Sequence, residues 1–214
     1  MQALHYKIST MKKYNTQELL ETLEQQTESL LNLAVQQWQM MNPSIIKQQP
    51  TPGAWSAMQC LGHLNAYGKY YLPAIEKAID IARIKSKPVN TTFTPGWLGN
   101  YFTKLMLPSQ NNGSIKKMKA PKDYTISNEG NSDEVLAEFI AQQEKLLVLL
   151  HQSRRIDLNK TRIPVSIAKF IKLKLGDVFM FLIAHNIRHI QQAERAIAAA
   201  KASVSKTKKL AVYS

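Results

Sequence analysis

The feature that most constrains the fold is where the chain keeps its glycines and prolines. There are eight glycines and nine prolines in 214 residues, and most of them cluster. Pro43, Pro50, Pro52 and Gly53 mark one stretch, and Pro88, Pro95, Gly96 and Pro108 a second. Gly113, Pro121 and Gly130 mark a third, and Pro164 and Gly176 a fourth. The long segments between them are interrupted only by Gly62, Gly68 and Pro73. Punctuation of this kind predicts long helices joined by irregular loops.

Apolar periodicity places four of them. The first is expected from Thr16, as cap, to Met41, with Leu19, Leu20, Leu23, Leu30 and Trp38 at helical spacing. The second is expected from Ser56 to about Arg83, carrying Cys60, Leu61, Leu64, Tyr67, Tyr71, Ile75 and Ile79 inward, with a kink before Pro73. A short helix fits Trp97 to Leu107. The third long helix is expected from Ser132, as cap, to Ser153, with Asp133 and Glu134 at its positive end. The fourth is expected to open at Gly176 and Asp177, with Asp177 as cap, and to reach about Ala200. Residues 154–175 form a basic connector that periodicity leaves open between extended chain and a short helix. No strand pattern with credible hairpin turns stands out. The expected fold is all-α: a four-helix bundle, up-down with long crossover loops. Its expected division is an N-terminal arm over 1–14, the bundle over 15–203, and a basic tail over 204–214.

Hydrophobic residues make up 44% of the chain, enough for a proper core. The single cysteine, Cys60, excludes an internal disulfide framework and any zinc site with two cysteine ligands. Its burial habit favours a small core residue over a ligand or nucleophile. The longest apolar run, Val178 to Ala184, is too short to span a membrane, and the N-terminus lacks an apolar signal region. The expected location is the cytoplasm.

Three of the five histidines stand apart. His63 lies on or near the inward stripe of the second helix. His185 and His189 are four residues apart on the fourth, so they share a face, which also carries Val178, Phe181, Leu182 and Gln192. Imidazoles on an apolar face are costly unless satisfied, either by hydrogen bonds or by a divalent metal. Three histidines with one open position describe a catalytic type of metal site.

The segment PGAWSAMQCLGHLNAYGKYY, with Trp55 eight residues before His63 in a GHL setting, resembles the second-helix signature of the DinB/YfiT-like superfamily. FLIAHNIRHIQQAERAI resembles its last-helix signature, H-x-x-R-H-x-x-Q, and KMKAPKDYTISNE is similar to the family segment before the third helix. The resemblance implies a four-helix bundle that binds one divalent metal, commonly zinc or nickel, through three histidines. By position these are His63, His185 and His189. Several relatives carry an acid shortly after the first ligand, where this chain has Asn65 and Ala66.

Such a metal would favour an anionic fourth ligand, and zinc can lower the pKa of bound water to about 7. Hydrolysis usually adds an acid or base nearby, and only Glu24, Glu138 or Glu144 could reach in from other helices. The resemblance also implies thiol-dependent S-transferases, so a low-molecular-weight thiol is a second candidate nucleophile. The substrate class is a small electrophile. Gln192 is a candidate donor behind His189, and Tyr67 is a candidate pocket wall. Arg188 could steady an anion, but pairing with a glutamate on a neighbouring helix is preferred. Trp55 is expected to pack under the start of the second helix.

The rival reading starts from charge, +13 with histidine neutral. Lys104, Lys116, Lys117, Lys119 and Lys122 occur with no acid between them, residues 154–174 hold seven cations against Asp157, and four lysines follow from Lys201. This suits a non-catalytic basic binding protein on the same scaffold. No nucleic-acid recognition motif is present, so only weak, non-specific nucleic-acid binding is expected. Trp97, Leu98, Tyr101, Phe102 and Leu105 offer an apolar patch that predicts a homodimer.

Overall fold

The computed structural model describes residues 13–85, 88–107, 120–121 and 124–212, with side chains up to residue 205. The N-terminal arm up to residue 12, including His5, and the lysines at 116, 117, 119 and 122 lie outside the described residues. So do the side chains of most of the basic tail.

Among the described residues, six α-helices and two small antiparallel ladders follow in the order β1 (Tyr14–Asn15), α1 (Thr16–Leu33), α2 (Pro43–Lys47), α3 (Ala57–Ile84), β2 (Thr92–Phe93), α4 (Trp97–Met106), α5 (Ser132–Ser153), β3 (Arg162–Val165), β4 (Ala168–Lys174) and α6 (Leu175–Val212). The long helices α1, α3, α5 and α6 form the expected four-helix bundle. Their inward stripes, including Leu20, Leu23, Leu61, Ile75, Ile79, Phe139, Leu146, Leu149 and Phe179, meet in one apolar core. Full burial of such a side chain contributes about 1.5–3 kcal/mol.

Helix α3 packs on α5 and α6, and α1 packs on the same two, so α1 and α3 lie across the diagonal. Asn65 reaches Val135 and Lys145 pairs with Glu76, so α3 and α5 run in the same direction. Parallel neighbours require a long crossover, and residues 85–131 supply it, with α4 packed on α6. Gly68 on α3 leaves room for the Gln142 side chain of α5, with which an added Cβ would collide.

Several boundaries differ from expectation for local reasons. Asn15 caps α1, accepting from Gln17 N and Glu18 N, because the Thr16 hydroxyl is turned away to donate to the Asn90 carbonyl at 2.8 Å. Beyond Leu33 the first helix widens into a π turn, Ala34–Trp38, which keeps Trp38 buried. Asn131, not Ser132, caps α5. Helix α3 starts on Ser56 as expected and runs unbroken through Pro73. Helix α6 begins at Leu175 and continues past Ala200 to Val212. Asp177 is therefore inside the first turn rather than at the cap position, and its buried carboxylate accepts from Gly96 N, at 3.0 and 3.1 Å from its two oxygens. Burial pushes the Asp177 carboxyl up to about 6.

The largest correction is in the connector. Residues 162–174 form a β-hairpin, although no credible hairpin turn was legible there. Ile163 pairs with Leu173 facing inward, while Arg162 and Lys174 face each other across the ladder. The short link, Ser166 and Ile167, carries none of the glycine or asparagine that signals a tight turn. What holds it is tertiary: Ser166 N donates to the Tyr71 hydroxyl at 3.2 Å. No helix among the described residues is long and apolar enough to cross a membrane.

Candidate metal centre

The start of α3 is fastened on both sides. Ser56 Oγ accepts from Gln59 N at 3.2 Å, and Gln59 Oε1 accepts from Ser56 N at 3.0 Å. Gln59 then donates to the Ile126 carbonyl at 3.0 Å, and Asn128 reaches both Ser56 and the Lys47 carbonyl. These bonds draw residues 124–128 across the helix as a strap. Gly62 leaves room for it, since a Cβ there would stand 2.9 Å from the Ile126 side chain. The strap delivers the Tyr124 carbonyl 2.6 Å from His63 Nδ1.

His63 faces His185 and His189 on α6. The ring centroids are separated by 5.0 Å (63–185), 4.6 Å (63–189) and 4.7 Å (185–189). Each offers a ring nitrogen, and the three nitrogens lie within 4.8 Å of one another, a grouping of metal-ligand atoms found nowhere else among the described residues. His63 Nε2 stands 3.1 Å from His185 Nε2.

The outer hydrogen bonds assign the tautomers. Tyr124 offers a carbonyl, so His63 Nδ1 carries the proton and Nε2 keeps its lone pair. Gln192 Oε1 lies 3.1 Å from His189 Nδ1, so the same assignment holds there. His185 Nδ1 is buried with no partner. Burial lowers the pKa of His63, and the Tyr124 carbonyl partly opposes this. Burial, then His189, His63 and Arg188, hold His185 well below the ordinary value. Burial, then His63 and Arg188, take His189 down to about 3. The three imidazoles are neutral at pH 7, as metal ligation requires. The donor set fits a divalent ion: two inward lone pairs converge on a third imidazole with no protein cation between them.

Aromatic rings close the surroundings. Trp55 lies 5.0 Å from the His63 ring and stacks on His189 at 5.8 Å. Tyr67 lies 4.5 Å from His185 and 5.1 Å from His63, and Phe181 stacks on His185 at 5.6 Å. Trp55 and the Tyr124 carbonyl are the contributors sequence reasoning missed. The Trp55–His63 spacing was the available signal for the first; a backbone carbonyl leaves no side-chain signal at all.

Other candidates are placed elsewhere. The Arg188 guanidinium donates to the Leu105 carbonyl at 3.3 Å, toward α4. Asn65 donates to the Val135 carbonyl on α5 at 2.8 Å. Cys60 is fully buried, and burial pushes its thiol up to about 12, the core role expected of it. Glu24 pairs with Arg154, Glu138 with Lys69, and Glu76 with Lys145. None of these three supplies the centre with a carboxylate, and Glu144, the remaining candidate, is exposed on α5.

A helical bundle with a buried three-histidine cluster on two facing helices defines the class. The model for the DinB superfamily matches residues 15–193, and the chain belongs to that superfamily. The chain is also similar to the solved structure of YfiT from Bacillus subtilis, described as a probable metal-dependent hydrolase with an unusual four-helix bundle topology. The two are 14% identical, the match covers 90% of this chain and 91% of that one, and the TM-score is 0.48. No curated protein matches the chain.

Proposed function

We propose that the chain is a metal-dependent enzyme whose divalent ion, zinc or nickel, is held by His63, His185 and His189. The observation that carries this is the pair of outer acceptors, Tyr124 O and Gln192 Oε1, which turn the lone pairs of His63 and His189 inward. Outer partners of this kind orient metal-binding imidazoles and raise their basicity. When bound, such an ion supplies a Lewis-acidic centre that favours a thiolate or hydroxide over the neutral form.

Around it, this chain's residues do three things. Three neutral imidazoles contribute no negative charge. Trp55, Tyr67 and Phe181 restrict water and offer aromatic faces to a small electrophilic substrate. The glutamates at 24, 76 and 138 are occupied in ion pairs, so no general base comes from them. Hydrolysis suffers more from that lack than thiol transfer does, which favours a low-molecular-weight thiol as nucleophile. The test is a screen of zinc- and nickel-loaded protein with small thiols plus an electrophilic acceptor, alongside esters and amides. Conjugation lost in His189→Ala supports the reading. Hydrolysis without a thiol, lost in the same variant, reassigns the nucleophile to hydroxide.

The same reading places the enzyme in the cytoplasm, with residues 15–203 as the bundle domain between an arm and a basic tail. It makes the enzyme a homodimer through α4, where Trp97 is 76% and Tyr101 53% exposed. Light scattering should give twice the chain mass at micromolar concentration, reverting to one chain in Trp97→Asp.

A further inference from the structure

A second site lies at the other end of α3. Ala78 is fifteen residues beyond His63, roughly 22 Å along a helix. There a cavity of about 360 Å³ opens between the end of α3, the segment after α5, and the hairpin. Five cations line it: Lys85, Arg155, Lys160, Arg162 and Lys172. Ala78, Ile81, Ala82 and Ile156 supply an apolar wall.

Among the described residues the cavity holds one carboxylate, Asp157, and that group is largely occupied. Its Oδ1 accepts from Asn159 N at 2.8 Å and Lys160 N at 3.2 Å, and its Oδ2 lies 3.8 Å from Lys160 Nζ. Among the described residues Lys85, Arg155 and Lys172 form no ion pair. The contrast with Arg154 is direct: that residue is held by Glu24 at 2.6 Å and Glu21 at 3.7 Å, while Arg155 beside it lines the cavity. The hairpin adds to the concentration of charge. Arg162 stands directly across from Lys174, whose ammonium turns away to donate to the Thr94 carbonyl at 2.6 Å, and the next outward pair brings Lys172 opposite Pro164. Inward positions Ile163 and Leu173 fix this register, so Arg162 and Lys172 are kept on the exposed face.

We infer that this cavity binds a small phosphorylated molecule with an apolar portion, a phosphate or diphosphate ester. Several unpaired cations around one volume are out of proportion to a single carboxylate ligand and suit a multiply charged anion. Guanidinium groups match phosphate oxygens in pairs, and Arg155 and Arg162 supply two of them. The volume lies in the range of small-molecule sites, and the apolar wall gives the ester group a surface to bury. The cavity shares no residue with the histidine cluster, so the inference stands whatever that cluster binds.

The test uses the full chain, stripped of metal, at physiological salt, where diffuse attraction between surface charges is largely screened. The probes are 1-naphthyl phosphate and inorganic pyrophosphate, titrated by calorimetry. Both should bind at one saturable site per chain. The double variant Arg155→Gln/Lys172→Gln should weaken both by about tenfold or more, since hydrogen bonds to charged groups are at stake. Lys104→Gln/Lys201→Gln removes the same charge elsewhere and should change neither. Ala78→Leu should weaken naphthyl phosphate and leave pyrophosphate unchanged, because it fills only the apolar side. Melting curves confirm that each variant folds. No saturable binding of either probe overturns the inference, as does equal weakening in both double variants. RNA that displaces the probes, with an affinity rising with strand length, also overturns it and makes the region a polyanion surface.

Discussion

The two ends of α3 treat positive charge in opposite ways. Near its start, three basic side chains are buried among aromatic rings and are held neutral. Near its end, five cations ring an open cavity and remain in contact with water. The difference follows from desolvation. Removing a charge from water costs several kcal/mol, so a buried imidazole sheds its proton, whereas an exposed guanidinium or ammonium keeps its hydration. One end of the same helix is thereby suited to a cation and the other to an anion.

The largest expected effect tests the first half of that contrast. Protein purified without a nickel-binding tag should carry close to one zinc or nickel per chain, and His185→Ala should lose nearly all of it. Lys172→Gln, at the other end, and His151→Ala, on the exposed last turn of α5, should retain it. Equal, negligible metal in all of these proteins would end the assignment.

Acid should distinguish the ends next. The folded-state pKa values of the three histidines lie below the unfolded value of about 6.5. The unfolded chain therefore binds more protons in acid. Stability from keeping these groups neutral is complete above about 6.5 and is lost as pH falls toward the His189 value of about 3. Metal-free protein should lose stability between pH 7 and 4.5, read as a fall in the urea midpoint, with the Asp177 carboxyl, raised to about 6, opposing part of the loss as it protonates. His189→Gln should flatten the slope, and Arg155→Gln should leave it intact. An unchanged slope in His189→Gln would mean that the cluster does not govern the acid response.

A smaller effect is expected one layer out. Gln192→Leu removes the acceptor behind His189 and should weaken zinc binding about 10- to 100-fold with the fold retained. Competition with a chromogenic chelator measures it. An unaltered affinity would show that the His189 tautomer is held by other means.

The smallest effect belongs to diffuse charge. Nucleic acid should bind weakly at low salt and lose most of its affinity by physiological salt through counterion release. A filter-binding series in salt reads the slope. Sequence-selective binding that survives salt would erase the distinction between a bounded anion cavity and a general basic surface.

Much of the bundle was legible because helices are written locally. The apolar spacing of α3 and α5, the Ser56–Gln59 cap and the shared face of His185 and His189 all depend on residues within a turn or two of one another. The resemblance carried His63 to the same pair, and the structure brings the three rings together. The hairpin escaped because its signal is weak in isolation: a two-residue link without turn residues, held by Tyr71 from ninety-five positions away.

The sequence by itself determined four long helices, a buried free cysteine, an excess of positive charge, and two histidines on one helical face. Each follows from composition or from contacts between near neighbours along the chain. Only the tertiary structure decided that α1 and α3 lie on the diagonal and that Trp55 stacks on His189. It alone decided that a strap carbonyl orients His63, that Asp177 reaches across to Gly96, and that cations from three segments meet in one cavity. The physical reason is that these pairings close loops of tens of residues, and their energies depend on burial and desolvation, which do not exist until the helices have packed.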